Sequence, residues 1–143
     1  MTELDPVRRV LTDRGSPAEV VNGGLDGLLD RWTSIVESVA AEYPLTLDDY
    51  LNDMDVRDAL AAVLPVASAR DASVGQQRLG PLDERFGMLT VATGCLWGDD
   101  VEEDDALDPE REWWYYRRPL QLNDDLASEL EAWGLMDEGG DAS

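Results

Sequence analysis

The side chains that could do chemistry in this chain are almost all carboxylates. Of its 143 residues, 32 are acidic, split into 20 Asp and 12 Glu, against 11 basic residues, for a net charge of −21. Every basic residue is Arg; Lys and His are absent, and Cys95 is the single cysteine. Without His the chain lacks the commonest general base and metal ligand. It has no Ser-His-Asp or Cys-His set, no P-loop and no dinucleotide-binding glycine motif.

Two carboxylates stand out by spacing. In Asp48-Asp49-Tyr50-Leu51-Asn52-Asp53-Met54-Asp55 the acids recur at helical intervals, which puts Asp49 and Asp53 one turn apart. Paired carboxylates can hold a divalent cation or share acid and base roles, so Asp49 and Asp53 are candidate metal ligands for a metal-assisted hydrolase. A calcium loop would need Gly at its sixth position and Glu at its twelfth. Here apolar Leu51 and Met54 fall among the acids instead, which favours helix capping and a solvated face. No cofactor is implied. Cys95, set among Thr93, Gly94, Leu96 and Trp97, has no cation near it in sequence and reads as a packing residue.

The second candidate is aromatic. Trp113-Trp114-Tyr115-Tyr116-Arg117-Arg118-Pro119 has strand propensity and is bounded by Pro119. As a strand it would send Trp114, Tyr116 and Arg118 to one side. Those residue types are the usual anchors of protein interfaces, so Trp114, Tyr116 and Arg118 are the partner-binding candidates.

These residues need elements to position them. Residues 2–14 predict a short first helix, with Thr2 as cap and Leu4, Val7 and Leu11 on one face. Gly15 ends it, Ser16-Pro17 starts a second short element, and Asn22-Gly23-Gly24 stops that. Residues 25–42 carry the clearest stripe: Leu25, Leu28, Leu29, Trp32, Ile35, Val36 and Val39. Residues 46–64 predict two helical pieces with a bend near Asp53–Asp55, the first capped by Thr46 with Asp48 and Asp49 in its first turn. Residues 66–80 read as a loop, and Pro81 as the start of a helix to about Thr93, with a strand at Met88–Ala92 as the competing reading. Asn123 caps a last helix that Gly134 ends.

The expected fold is mainly α: a compact single-domain bundle of five or six short helices over residues 1–136. An acidic loop at 99–112, one extended aromatic segment and a loose tail at 137–143 complete it.

Charge and composition bound the function. The excess of Asp over Glu with no Lys suits a salt-adapted surface, because at about 1 M salt the screening length is only ~3 Å. Direct binding to nucleic acid or an anionic membrane is disfavoured by repulsion. No signal segment or membrane span is expected, which points to the cytoplasm. The charge is uneven: −6 over residues 1–50, −2 over 51–98 and −13 over 99–143. Nine acids between Asp99 and Glu112 could therefore imitate a nucleic acid and block a basic groove.

The segments Leu47-Asp48-Asp49-Tyr50-Leu51-Asn52-Asp53, Leu82-Asp83-Glu84-Arg85-Phe86, Cys95-Leu96-Trp97-Gly98 and Trp113–Pro119 together resemble landmarks of a small uncharacterised prokaryotic protein family. From first to last, these landmarks span about half of the chain. The resemblance implies that the four segments belong to one fold, and it implies no activity. The reading that follows is a non-enzymatic, mainly helical protein acting on a protein partner. A nucleic-acid mimic and a carboxylate-dependent hydrolase are the alternatives.

Overall fold

Residues 6–135 are described in the computed structural model. The apolar stripe of the second helix organises it. Helix α2 (Ala18–Ala40) buries Leu28, Leu29, Trp32, Ile35, Val36 and Val39, and α1 (Pro6–Asp13), α3 (Leu47–Val63) and α4 (Ala69–Met88) pack around it. A long apolar face of this kind gains most from neighbours on several sides. Strand β1 (Thr90–Ala92) follows α4, and after it come α5 (Asp99–Asp104), β2 (Arg117–Pro119) and α6 (Asp124–Ala132). The chain is mainly α, with one small two-stranded sheet. In that antiparallel sheet Thr90 pairs with Pro119, Val91 with Arg118 and Ala92 with Arg117.

Several ends behave as the residue types require. Gly15 has φ +78°, while Ser16 N–H bonds Leu11 C=O and Gly15 N–H bonds Thr12 C=O, which closes α1 with a left-handed turn. Gly134 ends α6 with the same bond pattern. Gly24 (φ +60°, ψ −151°) breaks the helical path inside α2, in a region open essentially to glycine alone. The stop expected at Asn22-Gly23-Gly24 is therefore a kink, after which the helix resumes. The Asn123 side chain accepts from Leu126 N–H at 2.8 Å and donates to Tyr43 C=O at 2.7 Å, so it caps α6 and fastens the chain after α2.

Other expectations need correction too. Helix α3 runs without a bend at Asp53–Asp55. It buries residues over a wide arc, from Leu47 and Leu51 through Tyr50, Met54 and Arg57 to Leu60 and Val63, so its two apolar sets belong to one central helix. Residues 66–80 are mostly not a loop: α4 starts at Ala69 and continues through Pro81 to Met88. Gly75 in that stretch lets the helix approach closely, since a Cβ there would lie 3.1 Å from Leu64 Cδ2 and 3.4 Å from Leu25 Cδ2. Pro81 and Gln77, whose carbonyl loses its partner to the proline ring, both lie on the exposed side, where water can serve it. The competing strand reading is the one realised after Met88, as β1.

The acidic stretch is not wholly a loop. Its first part forms α5, closed by Ala106 at φ +53° with Leu107 N–H on Glu102 C=O. The aromatic run is not extended either. Trp113–Tyr116 form a 3-10 turn, and only Arg117–Pro119 are strand. Thr2, Leu4 and the tail at 137–143 lie outside the described residues.

Candidate functional site

The fold gives Asp49 and Asp53 separate tasks. Thr46 donates to Asp49 Oδ2 from its backbone N–H at 3.3 Å and from its hydroxyl at 2.9 Å, so Asp49 closes the start of α3. Asp53 accepts a hydrogen bond from the Tyr43 hydroxyl. Burial pushes the Asp53 carboxyl above the usual range, only partly opposed by that bond. Asp55, on the same helix, accepts from the Tyr115 hydroxyl at 2.5 Å and is likewise raised by burial. Among the described residues, no group of three His, Cys, Asp or Glu side chains is placed to hold a metal ion.

The aromatic candidates move indoors. Trp114, Tyr116 and Arg118 are 2%, 8% and 7% exposed, so little of each side chain reaches the surface. The alternation expected of a strand is lost because the 3-10 turn places Trp114, Tyr115 and Tyr116 against the core in succession. The Tyr116 hydroxyl donates to Glu102 at 2.5 Å and ties the acidic helix α5 to this turn. Cys95 is buried, and its thiol is raised chiefly by that burial.

The turn leaves Trp113 only half-buried, beside a polar constellation of Arg57, Asp83 and Trp32. Arg57 grips Asp83 with Nε on Oδ1 at 3.0 Å and Nη2 on Oδ2 at 2.8 Å. Trp32 Nε1 donates to the same Oδ1 at 3.1 Å. The guanidinium carbon of Arg57 stands 4.7 Å from the Trp114 ring centre and 5.4 Å from that of Trp113. Indole faces attract a cation at such distances, so the buried charge is held by two rings and a carboxylate. Arg57 Nη1 is buried without a hydrogen bond, under those rings. Trp114 Nε1 lies near the Tyr115 hydroxyl but makes no hydrogen bond of normal geometry.

Trp113 separates two clefts. One, of about 460 Å³, is walled by Trp113, Pro109, Ala92 and Tyr116, with Asp83 and Arg117 as its charged groups. The other, of about 400 Å³, has Arg57, Gln76, Arg111 and the indoles of Trp113 and Trp114 in its wall. Both volumes suit a side chain or a small ligand. A third groove, of about 700 Å³, runs between α1, the Gly24 kink and the start of α4.

Arg117 is the unusual cation. Its Nε donates to Thr90 Oγ1 at 2.7 Å, and its Nη2 donates to the carbonyls of Gly87 at 3.1 Å and Thr90 at 2.9 Å. All of these acceptors are neutral, and no carboxylate of the described residues forms an ion pair with it.

Sequence reasoning missed Trp113, Arg57, Asp83 and Arg117. One signal was present for Arg57: Leu47, Tyr50, Met54 and Arg57 follow a 3-4-3 spacing, so an arginine occupies a core slot of α3. A charge in such a slot requires a buried partner. Nothing in the sequence says that the partner is Asp83, 26 residues away.

Among the described residues that line the two clefts there is no Ser, Cys or His. What the arrangement offers is recognition: apolar walls, one indole face and a few polar atoms aimed inward. Among the described residues, no helix is long and apolar enough to cross a membrane. No family model, curated protein or solved structure matches this chain.

Proposed function

We propose that this chain is a non-enzymatic protein-recognition module whose contact face is the pair of clefts flanking Trp113. The observation that carries the reading is the position of Trp113: half-buried, shared by both clefts, and backed by the Arg57 guanidinium. A tryptophan held in place by its own scaffold needs little ordering on association, and Trp and Arg are the residues that most often anchor an interface. Pro109, Glu110 and Arg111 from the acidic segment line the same clefts, so the most charged stretch of the chain borders the contact face. Its carboxylates would steer a basic partner toward the face and have little effect on how tightly it stays.

The nucleic-acid-mimic alternative rests on charge alone. The hydrolase alternative rests on Asp49 and Asp53, which the fold engages elsewhere.

The test is a capture experiment in lysate of the source cell, with proteins identified by mass spectrometry. Trp113→Ala, checked for an unchanged far-UV spectrum, should lose the partner that the wild type retains. Met88→Ala, at an exposed residue that lines none of the three clefts, should keep it. A Trp113→Ala protein that retains every partner of the wild type sinks the reading.

A further inference from the structure

Resting on that reading, we propose that the cleft between Asp83 and Arg117 captures the C-terminal residue of the partner protein. Arg117 takes the terminal carboxylate, Asp83 takes that residue's backbone N–H, and Trp113 with Pro109 covers its apolar side chain.

The argument is one of remaining hydrogen-bonding capacity. An ionised carboxylate has about four acceptor positions. Asp83 Oδ1 fills two, with Arg57 Nε and Trp32 Nε1, while Oδ2 fills one, with Arg57 Nη2. One position on Oδ2 is left, and the Asp83 side chain is 22% exposed. Arg117 commits Nε and Nη2, whereas its Nη1 makes no hydrogen bond to the described residues, and the residue is only half-buried. The cleft thus presents one acceptor and one pair of charged donors.

Arg117 is fixed to Gly87 C=O, and Gly87 follows Asp83 by four residues of α4, a rise of roughly 6 Å along its axis. A chain end carries a donor N–H and a carboxylate on the same α-carbon, the complements of the acceptor and the cation that line this cleft. Charge points the same way. Arg57 neutralises Asp83, whereas Arg117 faces only neutral acceptors, so the cleft has an uncompensated positive charge within a chain of net −21. The strongest complement for a guanidinium is a carboxylate. Gly87 and Ala92 contribute little side-chain bulk to the lining, and the volume of about 460 Å³ admits a residue of leucine size.

The probe is the peptide acetyl-Gly-Ser-Gly-Leu with a free terminal carboxylate, titrated by calorimetry into the intact chain in about 1 M KCl to screen the overall repulsion. Its C-terminal amide twin is the comparison. The acid should bind saturably, and the amide about tenfold or more weaker, the worth of a charge-assisted hydrogen bond. Ala92→Glu, at an exposed residue opposite Arg117 in the sheet, places a carboxylate beside the guanidinium and should abolish peptide binding without unfolding the protein. Free leucine, with an ammonium in place of the amide N–H, should bind no better than the peptide.

Equal binding of acid and amide, no saturable binding of either, or binding untouched by Ala92→Glu would overturn the inference. So would binding of free leucine alone, which would make the cleft a small-molecule site. If the peptide fails while Trp113→Ala still loses its protein partner, the C-terminus inference falls alone. If Trp113→Ala keeps that partner, the recognition reading falls with it.

Discussion

Arg57 and Asp83, on α3 and α4, are joined by two parallel hydrogen bonds of 3.0 and 2.8 Å beneath the indole rings of Trp113 and Trp114. The pair links the two helices, and each partner opens on a different cleft. Its energetics follow from burial, since the two side chains are 10% and 22% exposed.

Removing one partner strands the other. Arg57→Ala should destabilise the fold by about 2–4 kcal/mol, reduced from the fully buried case because Asp83 keeps some water. Asp83→Ala should cost a similar amount. The double variant should cost clearly less than the two single losses added together, because no unpaired charge is left behind. Urea denaturation of the four proteins measures this. Additive losses would show that the two side chains act independently.

Asp53 and Asp55 give stability a pH dependence of defined sign. Burial raises both carboxyls above 3.8, their ordinary value, while in the unfolded chain they titrate near it. The folded state therefore binds more protons through that interval, and the stability these groups contribute is full below 3.8 and falls as pH rises through their folded values. Asp53→Asn and Asp55→Asn keep an acceptor for the Tyr43 and Tyr115 hydroxyls but remove the buried charge. Each should raise the melting temperature at pH 7, with the gain shrinking toward pH 4. A gain that grows on acidification would contradict the sign.

Repulsion among the carboxylates should make the fold depend on salt. Between about 0.1 and 1 M KCl the screening length falls from ~10 to ~3 Å, so the melting temperature should climb over that range. The exposed acids Asp100, Glu103, Asp104 and Asp105 sit together on and just after α5. Changing all four to their amides should flatten the salt response, read by circular dichroism and tryptophan fluorescence. An unchanged slope would place the dominant repulsion elsewhere in the chain.

The sequence by itself determined the elements whose signals are local. The stripe of α2 from Leu28 to Val39 follows helical periodicity, and any helix of that pattern must bury that face. Thr46 with Asp49, Asn123 with Leu126, and the left-handed glycines 15 and 134 are contacts spanning a few residues, so they can be read before any tertiary contact is known. Composition likewise fixed the absence of histidine chemistry.

Tertiary structure decided what depends on neighbours distant in sequence. Helix α3 is straight because it is covered on several sides, which a one-face pattern cannot express. Residues 69–80 are helical although small and polar, because Gly75 lets Leu25 and Leu64 pack closely. The aromatic run became a turn because burying Trp114, Tyr115 and Tyr116 together outweighed the strand preference of their types. That choice took Trp114, Tyr116 and Arg118 from the surface and left Trp113 at it. The candidate site joins residues from α3, α4, the 3-10 turn and β2, separated by up to 60 positions. Periodicity within any single element carries no information about such a meeting; packing of the whole chain sets it.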